Sequence, residues 1–316
     1  MANTTIDQPV ELSIILVNWN TREMLLACLR AIAANPPARG YEVWVVDNDS
    51  SDGSVEAVRQ QFPEVRLIAN ERNVGFAAAN NLAIARCDGR YVLLLNSDTE
   101  VHAGALEAMC SYLDNNPRVG AVGCTLQNPD GSIQRSAWRG YPSIASTAIE
   151  GFYLWKLFPE MVARSEVALA RHTSAQEVDH LLGACIMSRR EVITQVGALD
   201  DDYFLFLEET DWCRRIQAGG WKVIYLPGPS ITHYGQQSMR QIPAKTLPIF
   251  YASLCRFVRK SAGPSGWATV ILLKLVIALT VLVRMALWTV RLIKQRTLGL
   301  RMIGGYGRVL RQLPSF

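Results

Sequence analysis

The chain has 316 residues, 49% hydrophobic and 19% charged, which is long and apolar enough to bury a substantial core and excludes a disordered polymer. Four histidines argue against a multi-histidine metal centre, and seven scattered cysteines without a C-x-x-C pair read as reduced thiols, not a zinc or disulfide framework. The net charge of +4 divides unevenly: residues 1–211 carry 16 basic against 28 acidic groups, whereas residues 212–316 carry 16 Lys and Arg and no acid, which points the C-terminal third at an anionic partner, nucleic acid or membrane.

The N-terminal MANTTIDQPVELS has no basic stretch followed by an apolar one, so no secretory signal is expected there. LSIILVN (12–18) is an apolar, β-branched run that predicts a strand. TREMLLACLRAIAA (21–34) has helical spacing and stops at Asn35-Pro36-Pro37. YEVWVVD (41–47) predicts a strand, residues 50–62 a capped helix, and VRLIAN (65–70) a strand. Residues 75–86 are helical, YVLLLNSD (91–98) is a strand, residues 105–116 a helix and VGAVGC (119–124) a strand. Such alternation implies right-handed crossovers and a mostly parallel sheet with helices on both faces.

Asn128-Pro129-Asp130-Gly131 predicts a hairpin tip, and residues 135–178 read as a long excursion. VDHLLGACIMSR (178–189) predicts one strand, EETDWCRRIQAGG (208–220) a helix closed by glycine, and WKVIYLP (221–227) a last strand. A boundary is expected near 240, followed by a helical segment over 241–316. Its long stretch 267–296 is very apolar, yet Lys274, Arg284 and Arg291 interrupt it, and its longest charge-free run, 275–283, falls far short of the about 20 residues of a clean span. On a continuous helix Arg284, Arg291, Lys294 and Arg301 fall within roughly 100° of one another. This pattern favours a helix lying in the membrane interface with a basic edge; a single span with snorkelling ends is the rival. Charges embedded in a Leu/Val/Ile-rich helix argue against nucleic acid.

In open α/β sheets ligands bind beyond the carboxyl ends of the strands. Here those ends are polar: Asn18, Asp47 and Asp98 each close an apolar run. A lone aspartate there is most simply a helix cap. Two of them suggest a crevice that accepts a pyrimidine N3–H or holds a divalent cation. RNVGFAAANN (72–81) sets Gly75 at a helix start, where backbone N–H groups suit a phosphate. No G-x-G-x-x-G follows the first strand, which excludes the usual dinucleotide site of an oxidoreductase.

VVDNDSSDGS, ERNVGFAAANN, LLLNSDTE, GAC (183–185), FLFLEETDWCRR and ITHYGQQS, in that order, resemble the family 2 glycosyltransferases of GT-A fold over about residues 11–240. Within that family the chain is most similar to bacterial rhamnosyltransferases that build lipid-linked glycans. The resemblance implies that Asp47 contacts the nucleotide and that Asn96-Ser97-Asp98 stands for the D-x-D motif, with Asp98 as metal ligand for Mn²⁺ or Mg²⁺ and Asn96 departing from the usual Asp. It gives Glu209 the part of catalytic base in a Glu208-Glu209 pair where relatives usually have Glu-Asp. His233 becomes a further metal ligand. Asn18, Asn73, Gly75, Asn96, Ser97, Asp179, Gly183 and Glu208 are expected around the substrates. Arg135 and Arg139 are possible phosphate contacts, and His180 stands where relatives often carry an aromatic. The partners expected are a nucleotide-sugar donor, a lipid-linked glycan acceptor and a membrane surface met through residues 260–316, at the cytoplasmic face of the plasma membrane. A catalytically silent sugar-nucleotide binder on the same fold is the alternative.

Overall fold

The computed structural model describes residues 9–157, 166–167, 172–235, 243–291 and 295–316. The strands, in chain order, are β1 Leu12–Asn18, β2 Tyr41–Asp47, β3 Arg66–Ala69, β4 Tyr91–Asn96, β5 Thr99–Val101, β6 Val119–Gln127, β7 Ala137–Trp138, β8 Gln176–Glu177, β9 His180–Leu181, β10 Cys185–Arg189 and β11 Lys222–His233. The helices are α1 Arg22–Ala34, α2 Ser54–Gln61, α3 Phe76–Ile84, α4 Ala105–Asn115, α5 Ile144–Gly151, α6 Arg190–Val196, α7 Glu208–Ala218, α8 Pro243–Ser261, α9 Gly266–Arg291 and α10 Arg296–Gln312. They divide into two compact units, one drawn from residues 1–140, 165–202 and 208–237, the other from 141–164, 203–207 and 238–316.

The first unit is built on a nine-stranded sheet ordered β3-β2-β1-β4-β10-β6-β11-β5, with β8 pairing β11. β1, β2, β3 and β4 run parallel, as do β6 and β11, whereas β10 is antiparallel to both its neighbours. β1 and β4 are apolar almost throughout because both faces are covered. Leu12, Ile14, Leu16, Tyr91, Leu93 and Leu95 pack with α1, α2 and α4, while Ile15, Val92 and Leu94 pack with α3, α6 and α7. The single strand expected over 178–189 is broken at Leu182-Gly183-Ala184 into β9 and β10. The break frees β10 to insert antiparallel into the sheet and leaves Gly183 in the loop. Sequence periodicity also passes over β5, too short to alternate, and α6.

The hairpin expected at 128–131 forms, with Asn128 N–H donating to Ser132 O and Gly131 at φ 82°. β11 runs on past its expected end to His233, shifting register between Leu226 and Ser230.

The second unit is helical. Its core joins Tyr251, Leu254, Phe257 and Val258 of α8, Val270, Leu273, Ile277 and Val281 of α9, and Tyr306 and Val309 of α10. The helix expected over 267–296 ends at Arg291, and α10 starts afresh at Arg296; Lys294 lies outside the described residues. Arg284 does not join an outward basic edge. Its guanidinium donates to the carbonyl of Glu150 at 2.9 Å and approaches Tyr306 OH at 3.4 Å, so it is spent inside this unit. Among the described residues, Gly263–Arg291 is the helical stretch long and apolar enough to cross a membrane.

Candidate active site

Parallel pairing sets Asn18 beside Asp47 and Val17 beside Asn96, so three polar strand ends line up on one edge of the sheet. Asn18 Nδ2 donates to Asp47 Oδ2 at 2.8 Å, and Ser50 N–H donates to Asp47 Oδ1 at 2.8 Å. Each carboxylate oxygen keeps a second lone pair, so the bonds orient Asp47 without exhausting it. Thr21 carries the network across: its hydroxyl donates to Asn18 Oδ1 at 2.7 Å and lies 3.2 Å from Ser97 Oγ. Asn73 Oδ1 accepts the N–H of Gly75 at 2.9 Å and Asn48 Nδ2 donates to Gly75 O, which fixes the loop entering α3. The N–H of Gly75 itself is thus already engaged.

The second cluster lies at Asp98 and His233, both buried. β5 and β11 pair antiparallel with Thr99 opposite His233, and Tyr234 N–H donates to Asp98 O. His233 Nε2 comes within 3.3 Å of Asp98 Oδ1 and 3.4 Å of Asn96 Nδ2. Gln134 decides which ring nitrogen bears the proton. Its Nε2 donates to His233 O at 2.5 Å and to Asn128 Oδ1 at 2.8 Å, so its Oε1, 2.9 Å from His233 Nδ1, must accept. The Nδ1 then carries the hydrogen, and Nε2 is left as an acceptor, with the Asn96 amide at 3.4 Å and the Asp98 carboxylate oxygen at 3.3 Å. An imidazole nitrogen and a carboxylate oxygen so placed suit a shared cation. Ligands at right angles around one octahedral ion stand about 3 Å apart. The donor set, one carboxylate and one imidazole, therefore fits a divalent ion. No group of three His, Cys, Asp or Glu that could hold a metal occurs among the described residues.

The third cluster opens α7. Glu208 is buried and Glu209 half-buried, and one oxygen of each, Oε2, is shielded with no hydrogen-bond partner among the described residues. Burial, then the charge of Glu209, pushes the Glu208 carboxyl well above the usual carboxylate range. Burial also raises Glu209, opposed by hydrogen bonds from backbone N–H groups, Glu208 and Thr210 to its anion. Burial thus raises both carboxyls, Glu208 the more strongly because the charge of Glu209 adds to it. Gly183 lies flush against this side chain: a Cβ there would stand 3.4 Å from Glu209 Cγ. Its neighbour Ala184 accepts the N–H of Asn96 at 3.0 Å, so one loop touches both the strand end and the carboxylate pair.

Asp179 Oδ2 accepts the N–H of Gly140 at 2.5 Å, and Asp179 N–H donates to Trp138 O. His180 stacks on Trp138, centroids 4.9 Å apart. Burial lowers its pKa to about 4, so it is neutral near pH 7. Arg135 pairs with Glu166 at 2.9 Å and Arg139 with Gln176 at 3.2 Å. Residues 236–238 of the ITHYGQQS segment lie outside the described residues. Sequence reasoning passed over Thr21, Ser50 and Gln134. The hairpin placed Gln134 near a strand end, but only the fold sets it against His233.

Polar strand ends and carboxylates from separate loops thus gather at the carboxyl ends of the strands of an α/β sheet. The chain belongs to glycosyl transferase family 2, whose model matches residues 13–197. It is 30% identical over 258 residues to N-acetylglucosaminyl-diphospho-decaprenol L-rhamnosyltransferase of Mycobacterium tuberculosis, covering 78% of this chain and 81% of that one. It is 23% identical over 193 residues to rhamnosyltransferase WbbL of Escherichia coli K12, 59% of this chain and 70% of the other. The mannosyltransferase PcManGT of Pyrobaculum calidifontis, solved with GDP-Man and Mn²⁺, shares the fold: TM-score 0.55, 19% identity, 96% of this chain and 87% of that one. The sheet and its flanking helices are thus of GT-A type.

Proposed function

We propose that the protein is an inverting, metal-dependent rhamnosyltransferase. It moves L-rhamnose from dTDP-rhamnose onto a polyprenyl-diphosphate-linked glycan at the cytoplasmic face of the plasma membrane, in cell-wall or surface polysaccharide synthesis. Residues 1–240 form the transferase domain and 241–316 the membrane-associating segment. Likeness to the mycobacterial rhamnosyltransferase supports the sugar and the acceptor class. The observation that carries the chemistry is His233 Nε2 set 3.3 Å from Asp98 Oδ1, together with the Glu208–Glu209 carboxyl pair against the Gly183 loop.

Asp47, oriented by Asn18 and Ser50, receives the pyrimidine or ribose, with Asn73 and Gly75 bordering that end. Asn96 and Ser97 flank the sugar-phosphate side. Asp98 and His233 hold a divalent cation, Mn²⁺ or Mg²⁺, which when bound neutralises charge on the leaving diphosphate. Glu209, in its carboxylate form, takes the acceptor hydroxyl proton. The acceptor oxygen bonds to the anomeric carbon as the carbon–phosphate-oxygen bond breaks from the opposite face, and the nucleoside diphosphate departs. Asp179 and Gly183 border the acceptor.

Glu209→Gln is expected to reduce turnover by about 10²–10⁴-fold, the usual contribution of a general base, with donor affinity unchanged in calorimetry. Undiminished turnover would remove Glu209 from the mechanism. Incubating dTDP-, UDP- and GDP-sugars with the lipid-linked acceptor, with and without Mn²⁺, tests the donor. Transfer from a UDP- or GDP-sugar and none from dTDP-rhamnose would overturn the sugar assignment.

A further inference from the structure

The outward face of α9 needs an occupant. Trp267, Ile271, Leu275, Leu279 and Leu282 are all more than half exposed, and they gather on the side opposite Val270, Leu273, Ile277 and Val281, which pack into the helical core. The helix is 26 residues, about 39 Å long. From residue 212 onward the chain has no acid, and Lys260, Arg291, Arg296, Arg301, Arg308 and Arg311 are all exposed. An apolar face within a wholly cationic segment is complementary to one chemistry above others, an anionic phospholipid surface.

We infer that α9 lies in the plane of an anionic leaflet, that face immersed among the upper acyl chains, and that it does not cross. The inference rests on the membrane assignment above and adds its geometry. Two contacts fix how α10 runs beside α9: Lys274 Nζ donates to Pro314 O at 2.9 Å, and Arg284 reaches Tyr306 OH at 3.4 Å. α10 is therefore antiparallel to α9, and residues 307–313 lie level with 275–283, the charge-free stretch. Arg308 and Arg311 fall within that window and point outward. A span centred on the apolar stretch would carry both guanidiniums, with Lys274 and Arg284, into the hydrocarbon, where such charges are expensive. An in-plane helix immerses only its outward face and leaves them outside. Trp267 at the start of α9, 69% exposed on that face with Arg259 over its ring, suits the interfacial level.

The test uses the full chain. All seven native cysteines are buried, so single Trp267→Cys, Leu275→Cys, Leu282→Cys, Val290→Cys and Arg308→Cys variants accept a depth-sensitive fluorophore selectively. On vesicles containing phosphatidylglycerol, the four α9 labels are expected to report one shallow depth, on the same side. Arg308→Cys is expected to react with a membrane-impermeant maleimide. Replacing Leu275, Leu279 and Leu282 by Ser, all exposed and so harmless to folding, is expected to reduce vesicle flotation by roughly tenfold or more. Labels at 267 and 290 on opposite sides, with 308 shielded, would make α9 a span and overturn the inference. So would absence of flotation with a dimer in light scattering, since a second copy would then cover the face. None of these readouts needs turnover, so sugar transfer failing while depths hold would overturn the proposed reaction and leave this geometry standing.

Discussion

At the scale of single residues, Gln134 matters through the histidine it fixes. Its amide is pinned by two carbonyl-type acceptors, and its oxygen is left only the Nδ1–H of His233. Gln134→Leu removes that acceptor, so the ring can rotate or change tautomer. Loss of such a supporting partner typically weakens metal affinity by about 10–100-fold. Titrating Mn²⁺ by electron paramagnetic resonance should show this drop while metal-free nucleotide binding is unchanged; equal Mn²⁺ affinity would assign Gln134 to the hairpin alone. His180 makes a pH prediction. Its pKa falls from 6.5 unfolded to about 4 folded because burial disfavours the imidazolium. The unfolded chain therefore gains the proton first as pH drops, and stability is lost between pH 6.5 and about 4, by about 3 kcal/mol in all. His180→Phe keeps a ring on Trp138 and should remove that share of the acid-side decline. Denaturant titrations at pH 5 and 8 read it, and the same pH slope in both proteins would reject the account.

At the scale of elements, the Gly183 loop links β4, β10 and α7. Gly183 is not at a positive φ, so alanine is allowed by the backbone; what changes is a methyl 3.4 Å from Glu209 Cγ. Gly183→Ala should lower kcat about tenfold through a displaced base, as misplacement near the reacting atoms does, with little change in Tm or donor KM. A fall in donor KM affinity equal to the fall in kcat would locate the loop at the donor instead. Much of this layout is legible from the sequence: apolar runs read as closing on Asn18, Asp47 and Asp98 give parallel strands with their polar ends together, although the third strand stops two residues earlier, at Asn96. The antiparallel insertion of β10 is not, because VDHLLGACIMSR is apolar on both sides of Gly183 and a buried strand reads alike in either direction. Nor is the partnership of Gln134 with His233, residues 99 apart in the chain, since hairpin register and the parallel pairing of β6 with β11 must both form first. Arg284 shows the opposite error. Helical periodicity puts it beside Arg291 on one edge, but tertiary contacts with Glu150 and Tyr306 turn it inward.

At the scale of the whole molecule, acids are confined to residues 1–211, so the 16 basic groups after them stand unopposed in sequence. With the bilayer-anchored acceptor proposed above, this sorting would govern encounter more than chemistry. Surface attachment replaces a search through volume by one within a layer, which raises effective acceptor concentration without altering the reacting groups. Loss of attachment should therefore appear in the acceptor KM and not in kcat. With Leu275, Leu279 and Leu282 replaced by Ser, the KM for acceptor embedded in anionic vesicles should rise roughly tenfold or more, within the avidity range of such tethering. Turnover of a short-chain, water-soluble acceptor should stay at the parent level. Salt separates the two parts of the attachment. At 1 M the Debye length is about 3 Å, so headgroup attraction is screened while immersion of the α9 face persists. The parent protein should thus keep part of its vesicle binding at high salt and the triple variant should lose it. An unchanged vesicle KM in that variant would mean that the face plays no part in reaching the acceptor.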